Sequence, residues 1–200
     1  MAVELWFATF NKGKLREARS LLMDRDVEVH SQGELSYFSS RPEDGDSFEA
    51  NARIKAKSLR AVKPGCWVIG EDSGLEVEGL KGLPGIHSAR YAGPKASDLE
   101  NNTKLLKMLD LRSYNQRRAQ FHCVIVAYPP EGEEQVWEGV LRGEIAKKMA
   151  GNTGFGYDPL FIPEGKTQTL AELGAGYKNK VSHRSQALRQ LCKALPPPRE

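Results

Sequence analysis

The sequence predicts an α/β fold built on a mixed β-sheet, and three observations carry that reading. Strand-like apolar runs alternate with segments whose apolar residues recur at helical spacing. Later, "RAQFHCVIVAY" and "EQVWEGVLRGEIA" read as a long antiparallel pair joined by the turn "PPEGE". A length of 200 residues suits one domain, or two intimately packed lobes, with a real core.

Taken in order, "VELWFATF" is a buried first strand, and "NKGKLREARSLLM" is a helix. Asn11 caps that helix, while Leu15, Ala18, Leu21 and Leu22 fall near one face. "VEVHSQ" is a strand, "RPEDGDS" a loop, and Ser47 caps a helix from Phe48 to about Ala61. "CWVIGED" and "LEVEGL" read as short strands around a Ser73-Gly74 turn, and "KGLPGIHSARYAGP" as a Gly/Pro-punctuated surface segment. Ser97 caps a helix running to about Leu109, with acidic residues in its first turn. "GNTGFGYDPLFIP" is a glycine-rich loop entering a short strand, and a last helix starts near Ser182. Residues 1–195 then form the domain, and residues 196–200, "PPPRE", a disordered tail.

Bulk composition narrows the function. With 29 basic and 26 acidic residues the net charge is +3, too small a field to argue for nucleic acid, although a small anionic ligand needs only local charge. Cys66, Cys123 and Cys192 show no metal-ligand spacing, and Cys66 and Cys123 read as buried thiols in a reducing compartment. "MAVELWFATF" is too short for a membrane span and has no cleavage site, so a cytoplasmic location without a membrane partner is expected.

Chemistry has three places to reside. In "ATFNKGK", an apolar strand turns into a helix whose N-terminal N–H groups and dipole favour an anion. Thr9 and Asn11 add donors there, Gly13 permits close approach, and Lys12 and Lys14 add charge; a capped helix with solvated lysines is the plain alternative. In the helix from Phe48, Asn51 and Lys55 share the apolar stripe, so both need partners unless Lys55 snorkels to solvent. In "VIGEDSGLEVEGL", Glu71 and Asp72 end an apolar run and point to opposite faces of a strand. Asp72 with Glu43 suits a magnesium ion that also holds phosphate oxygens, and turn anchors are the alternative.

Downstream, "GFGYDPLF" offers Phe155 or Tyr157 to stack on a base, and Lys178, Lys180, His183 and Arg184 cluster near a helix start. Core aromatics and a solvated basic face would explain the same residues. Together, anion donors, metal carboxylates, a stacking loop and cationic clamps describe a nucleoside polyphosphate site.

Nearly end to end, the sequence resembles the inosine triphosphate pyrophosphatases, which act on non-canonical purine nucleoside triphosphates. The likeness rests on "ATFNKGKLREARSLL", "EDGDSFEANARIKAKSL", "GEDSGLEVEGLKGLPGIHSARYAG", "AQFHCVIV", "GFGYDPLFIP" and "KNKVSHRSQAL". It implies an elongated mixed sheet with two lobes and a cleft between them, a homodimer, and magnesium-dependent hydrolysis of ITP, dITP and XTP to the monophosphate and pyrophosphate. The family's phosphate loop falls on Thr9, Phe10, Asn11, Lys12, Gly13 and Lys14, its phosphate-facing lysine on Lys55, its metal carboxylate on Glu43, and its catalytic acid and metal ligand on Asp72. Ser73 lies in the substrate site, and base and sugar recognition falls on Phe155, Gly156, Tyr157, Asp158, Lys178, His183 and Arg184.

This chain departs from the family pattern at two positions. Phe10 stands where the family has glycine, and Glu71 where many members have aspartate. Donors fixed near O6, from Arg184, His183 or loop N–H groups, would favour hypoxanthine and xanthine over adenine. A non-catalytic nucleotide-binding module, with Phe10 as its supporting feature, and a pyrophosphatase for pyrimidine nucleotides are the competing readings.

Overall fold

The computed structural model describes residues 2–39, 41–113 and 115–197. Residues 198–200 of the expected tail lie outside the described residues.

Six strands, β1 (Val3–Phe7), β2 (Val27–Ser31), β3 (Trp67–Val77), β4 (Arg118–Tyr128), β5 (Gln135–Ile145) and β6 (Phe161–Pro163), form one sheet ordered β2-β1-β3-β4-β5-β6. Strand β1 is parallel to β2 and β3, pairing Leu5 with Val29 and with Trp67, while β5 and β6 are antiparallel, so the sheet is mixed as expected. The helices are α1 (Lys12–Leu22), α2 (Phe48–Arg60), α3 (Asp98–Arg112), α4 (Leu170–Val181) and α5 (His183–Ala194). None of the described helices is long and apolar enough to cross a membrane. The chain divides into two compact units, one of Met1–Asp72, Cys123–Gly139 and Arg184–Glu200, the other of Ser73–His122 and Val140–His183.

Strand alternation organises the first unit. Leu5 and Phe7 of β1, Trp67 and Ile69 of β3, and Cys123, Ile125 and Ala127 of β4 pack with Ala18 and Leu22 of α1 and Ala187, Leu188 and Leu191 of α5. Intervening residues turn the other way: Trp6, Ala8 and Val68 cluster with Leu59 of α2, and Val126 with Ala52 and Ala56 of α2. Gly70 shares that second face. A Cβ there would lie 2.1 Å from the Ala52 carbonyl oxygen and 2.5 Å from the Ala56 nitrogen, so α2 rests directly on the strand.

The second unit has its own core, in which Leu75 and Val77 of β3, Leu105 and Leu109 of α3, and Phe121, Ile145, Tyr157, Leu160 and Phe161 come together.

Four local expectations need correction. The Ser73-Gly74 pair is no turn: β3 runs unbroken from Trp67 to Val77. Gly74 is not among the positive-φ glycines, and the Leu75 N–H donates to Ser88 Oγ at 2.9 Å. Residues 81–94 are not all surface, because Gly85–Arg90 forms a 3₁₀ turn that buries Ser88. Helix α4 escaped the sequence reading. Thr169 and Glu172 form its capping box, but Gly174 (φ 80°, ψ 174°) breaks it and with Gly176 obscures the helical period. Cys66 is half-buried rather than buried, and all three cysteines are free thiols.

Replacing Gly70 with alanine therefore pushes α2 off β3, with an expected loss of about 3 kcal/mol or more in urea-denaturation stability. An unchanged midpoint would contradict direct seating of the helix on the strand.

Candidate active site

Three polar clusters stand out, two in the first unit and one in the second. In the first unit, Asp72 lies on the Val68–Gly70 face of β3 and meets α2. Lys55 Nζ donates to Asp72 Oδ1 at 2.8 Å and to Glu43 Oε2 at 3.0 Å, and Asn51 Nδ2 approaches Asp72 Oδ2 at 3.4 Å. Asn51 Oδ1 in turn accepts the Gly45 N–H at 2.9 Å, which anchors the loop carrying Glu43. Asn51, Lys55 and Asp72 are buried, whereas the Glu43 side chain is 39% exposed. The two polar residues on the apolar stripe of α2 thus find partners, and Lys55 does not snorkel to solvent. Burial pulls the Lys55 ammonium toward neutrality, but the charges of Asp72 and then Glu43 outweigh it and hold its pKa above the usual lysine value.

Glu71 faces the opposite side of β3, as alternation requires, and does a different job. It is 2% exposed. Arg184 of α5 grips it with two hydrogen bonds, Nε to Oε2 at 2.8 Å and Nη2 to Oε1 at 3.0 Å, and also donates to Glu17 of α1. Lys14 Nζ stands 3.2 Å from Glu71 Oε1. This buried network joins α1, β3 and α5, so Lys14 and Arg184 would have to serve a substrate from within it.

Between β1 and α1, the Asn11 side chain accepts the Gly13 and Lys14 N–H groups at 2.9 and 3.0 Å. Two of the donors expected to cradle a phosphate are therefore satisfied by the cap, leaving the exposed Lys12 as the loop's clearest charge. Thr9 Oγ1 accepts the Asn11 N–H, and Ser31 Oγ donates to the Thr9 carbonyl at 2.7 Å, tying the loop to the end of β2. Phe10 is 61% exposed and is not at positive φ, since Lys81 is the only non-glycine residue there among those described. A side chain in place of glycine leaves this loop backbone unstrained.

In the second unit, Asp158 organises the "GFGYDP" loop. It is 1% exposed, accepts from Lys178 Nζ at 2.6 Å and from the Phe155 N–H at 3.0 Å, and fills the space beside Gly154. Gly154 has φ 81°, and a Cβ on it would lie 2.1 Å from Asp158 Oδ2. Lys178 Nζ stands 4.2 Å from the centroid of the half-buried Phe155 ring. Tyr157 is 4% exposed and donates to the Ser88 carbonyl at 2.8 Å, so it is a core residue, and Phe155 is the more accessible aromatic of the loop. Buried His183 stacks on Phe121 at 4.7 Å. Ser73, half-buried, continues β3 directly after Asp72.

Sequence reading missed the residues that hold this loop. Asp98 Oδ2 accepts the Gly156 N–H at 2.7 Å, and Asn102 Nδ2 donates to the Gly156 carbonyl at 2.8 Å. "SDLENN" signalled a helix cap, and nothing in its spacing pointed to a loop more than fifty residues away. With the Phe155, Gly156 and Asp158 N–H groups donating to Asp158, Asp98 and the Phe155 carbonyl, the loop amides expected to read a base are engaged.

Among the described residues no group of three or more His, Cys, Asp or Glu side chains could hold a metal. Glu43 and Asp72 nevertheless form a hard-oxygen pair with a cation, the Lys55 ammonium, already drawn between them. A pair of this kind fits an ion that keeps most of its waters and takes the rest of its ligands from phosphate.

Arg184→Met leaves the buried Glu71 carboxylate without its two-point partner and with Lys14 as its remaining described cation, and the expected cost is about 3–5 kcal/mol in chemical denaturation. Glu71→Leu combined with Arg184→Met should lose less than the sum of the single changes; full additivity would contradict a shared network.

Residues 5–194 match the Ham1 family profile. A dITP/XTP pyrophosphatase from Bdellovibrio bacteriovorus is 62% identical over 194 residues, covering 96% of this chain and 98% of its own. A Bacillus subtilis protein of the same name is 42% identical over 193 residues, with 96% of each chain covered. The structure of a HAM1 protein from Coxiella burnetii superposes with a TM-score of 0.85 at 39% identity, covering 96% of this chain and 98% of that one. The Staphylococcus aureus Ham1 protein gives 0.83 at 40% identity, with 96% and 97% covered. The chain belongs to the Ham1 family.

Proposed function

We propose that the protein hydrolyses the non-canonical purine nucleoside triphosphates ITP, dITP and XTP to the monophosphate and pyrophosphate, clearing them from the nucleotide pool. The Asp72–Lys55–Glu43 cluster is the observation that carries the reading. A helix that buries an ammonium against a carboxylate in the middle of a strand, with a second carboxylate reaching it from a loop, is hard to explain by stability alone. The dITP/XTP pyrophosphatase relatives support the same activity.

The reaction exchanges the bond between the α- and β-phosphates for a bond to water oxygen and releases a proton. Asp72 orients that water and takes its proton. Lys55 and Lys12 neutralise phosphate oxygens, and Thr9 to Lys14 give the triphosphate its seat. Glu43 and Asp72 would hold magnesium, which when bound supplies further charge neutralisation and alignment of the phosphate oxygens. Phe155 stacks on the base, with Gly156 and Asp158 shaping the loop around it. Lys178 and His183 would read O6, and Ser73 is kept as a substrate contact. Arg184 reaches a base only by giving up part of its hold on Glu71 or Glu17. A cytoplasmic homodimer is proposed from the family resemblance, and the net charge of +3 supports a partner list without nucleic acid.

Asp72→Asn removes the carboxylate's charge while keeping its shape. Pyrophosphate release from ITP should fall by roughly 10²- to 10⁴-fold in a protein that still folds, with a lowered denaturation midpoint because Lys55 loses its nearer charged partner. Near-normal turnover in a folded variant would remove Asp72 from the chemistry.

A further inference from the structure

We infer that Asp98 and Asn102 of α3 are positioning residues for base recognition, holding the Gly156 peptide units so that the Phe155 ring lies where a purine base can stack. The inference rests on the proposed assignment of the base to Phe155.

Gly156 has φ 62°, and no heavy atom lies within 4 Å of where its Cβ would be. Packing does not fix the chain on that side. Two hydrogen bonds from α3 hold it: its N–H to Asp98 Oδ2 at 2.7 Å, and its carbonyl from Asn102 Nδ2 at 2.8 Å. Asn102 Nδ2 also donates to the Asp98 carbonyl at 2.7 Å, so one amide links the helix start to the loop. Asn102 is 1% exposed, and its Oδ1 has no hydrogen-bond partner. Burying an unsatisfied oxygen costs stability, so a side chain selected for packing alone would be apolar here. The amide is instead turned to give its donors to Gly156 and Asp98, which makes loop geometry its function. Phe155 is the neighbouring residue, bonded through its own N–H to Asp158, so it is fixed from both directions.

Asp98 is exposed and Asp98→Ala should fold normally. For ITP we expect KM to rise about 5- to 10-fold, a part of what one hydrogen bond to a charged acceptor contributes because Asp98 acts on the base only through the loop, with kcat nearly unchanged. The preference for ITP over ATP in kcat/KM should shrink, and Asp98→Asn, which retains an acceptor oxygen, should restore most of it. Asn102→Ala should move KM and preference in the same direction. Calorimetric titration with inosine monophosphate should show the same weakening without reference to turnover. An active, folded Asp98→Ala enzyme with wild-type KM and base preference would overturn the inference and leave the proposed function standing. A fall in kcat alone would overturn it too. Wild-type protein that neither hydrolyses ITP nor binds inosine monophosphate would refute the proposed function and this inference together.

Discussion

Strand alternation at residues 71 and 72 is the constraint on which the rest of the structure depends. Two adjacent carboxylates in the middle of a buried strand must leave on opposite faces, and each needs a cation where it arrives. Glu71 meets Arg184 and Lys14, and the result is a buried joint between α1, β3 and α5. Asp72 meets Lys55, and the result is a cluster that includes the partly exposed Glu43. One carboxylate is used up by architecture, and the other stands in the cluster to which the proposed chemistry is assigned. Gly70 makes this possible by letting α2 approach closely enough for Asn51 and Lys55 to reach the strand.

The base loop is organised differently. Its backbone turns through glycines at positive φ; Gly154 is packed against Asp158, whereas Gly156 has no such contact and is held by polar side chains of α3. Asp158 closes the loop from within, Lys178 brings a charge over the Phe155 ring, and α3 grips Gly156 from outside. A loop held by hydrogen bonds to its own amides has fewer of them to offer a ligand.

Much of this was legible in the sequence because it depends on period and local chemistry. The Asn11 cap, the α2 stripe with Asn51 and Lys55 upon it, and the opposed faces of Glu71 and Asp72 all follow from spacing within a single element. What spacing cannot show is which distant group completes a contact. Arg184 was readable as a base donor because nothing near it in sequence reveals Glu71 or Glu17 as its partners. Tyr157 and Phe155 were interchangeable until burial separated them. Asp98 and Asn102 were invisible as loop anchors for the same reason. The Ser-Gly pair misled because glycine in a strand and glycine in a turn look alike without φ. Helix α4 was lost because its glycines conceal a period that its Thr169–Glu172 capping box announces.

Pyrophosphate release from ITP, XTP, GTP and ATP by the wild-type protein, with and without magnesium, tests the central claim most directly. The account predicts metal-dependent release from ITP and XTP, with GTP and ATP turned over far more slowly. Equal release from ATP and ITP, or none from any of them by a folded protein that still binds ITP, would contradict it.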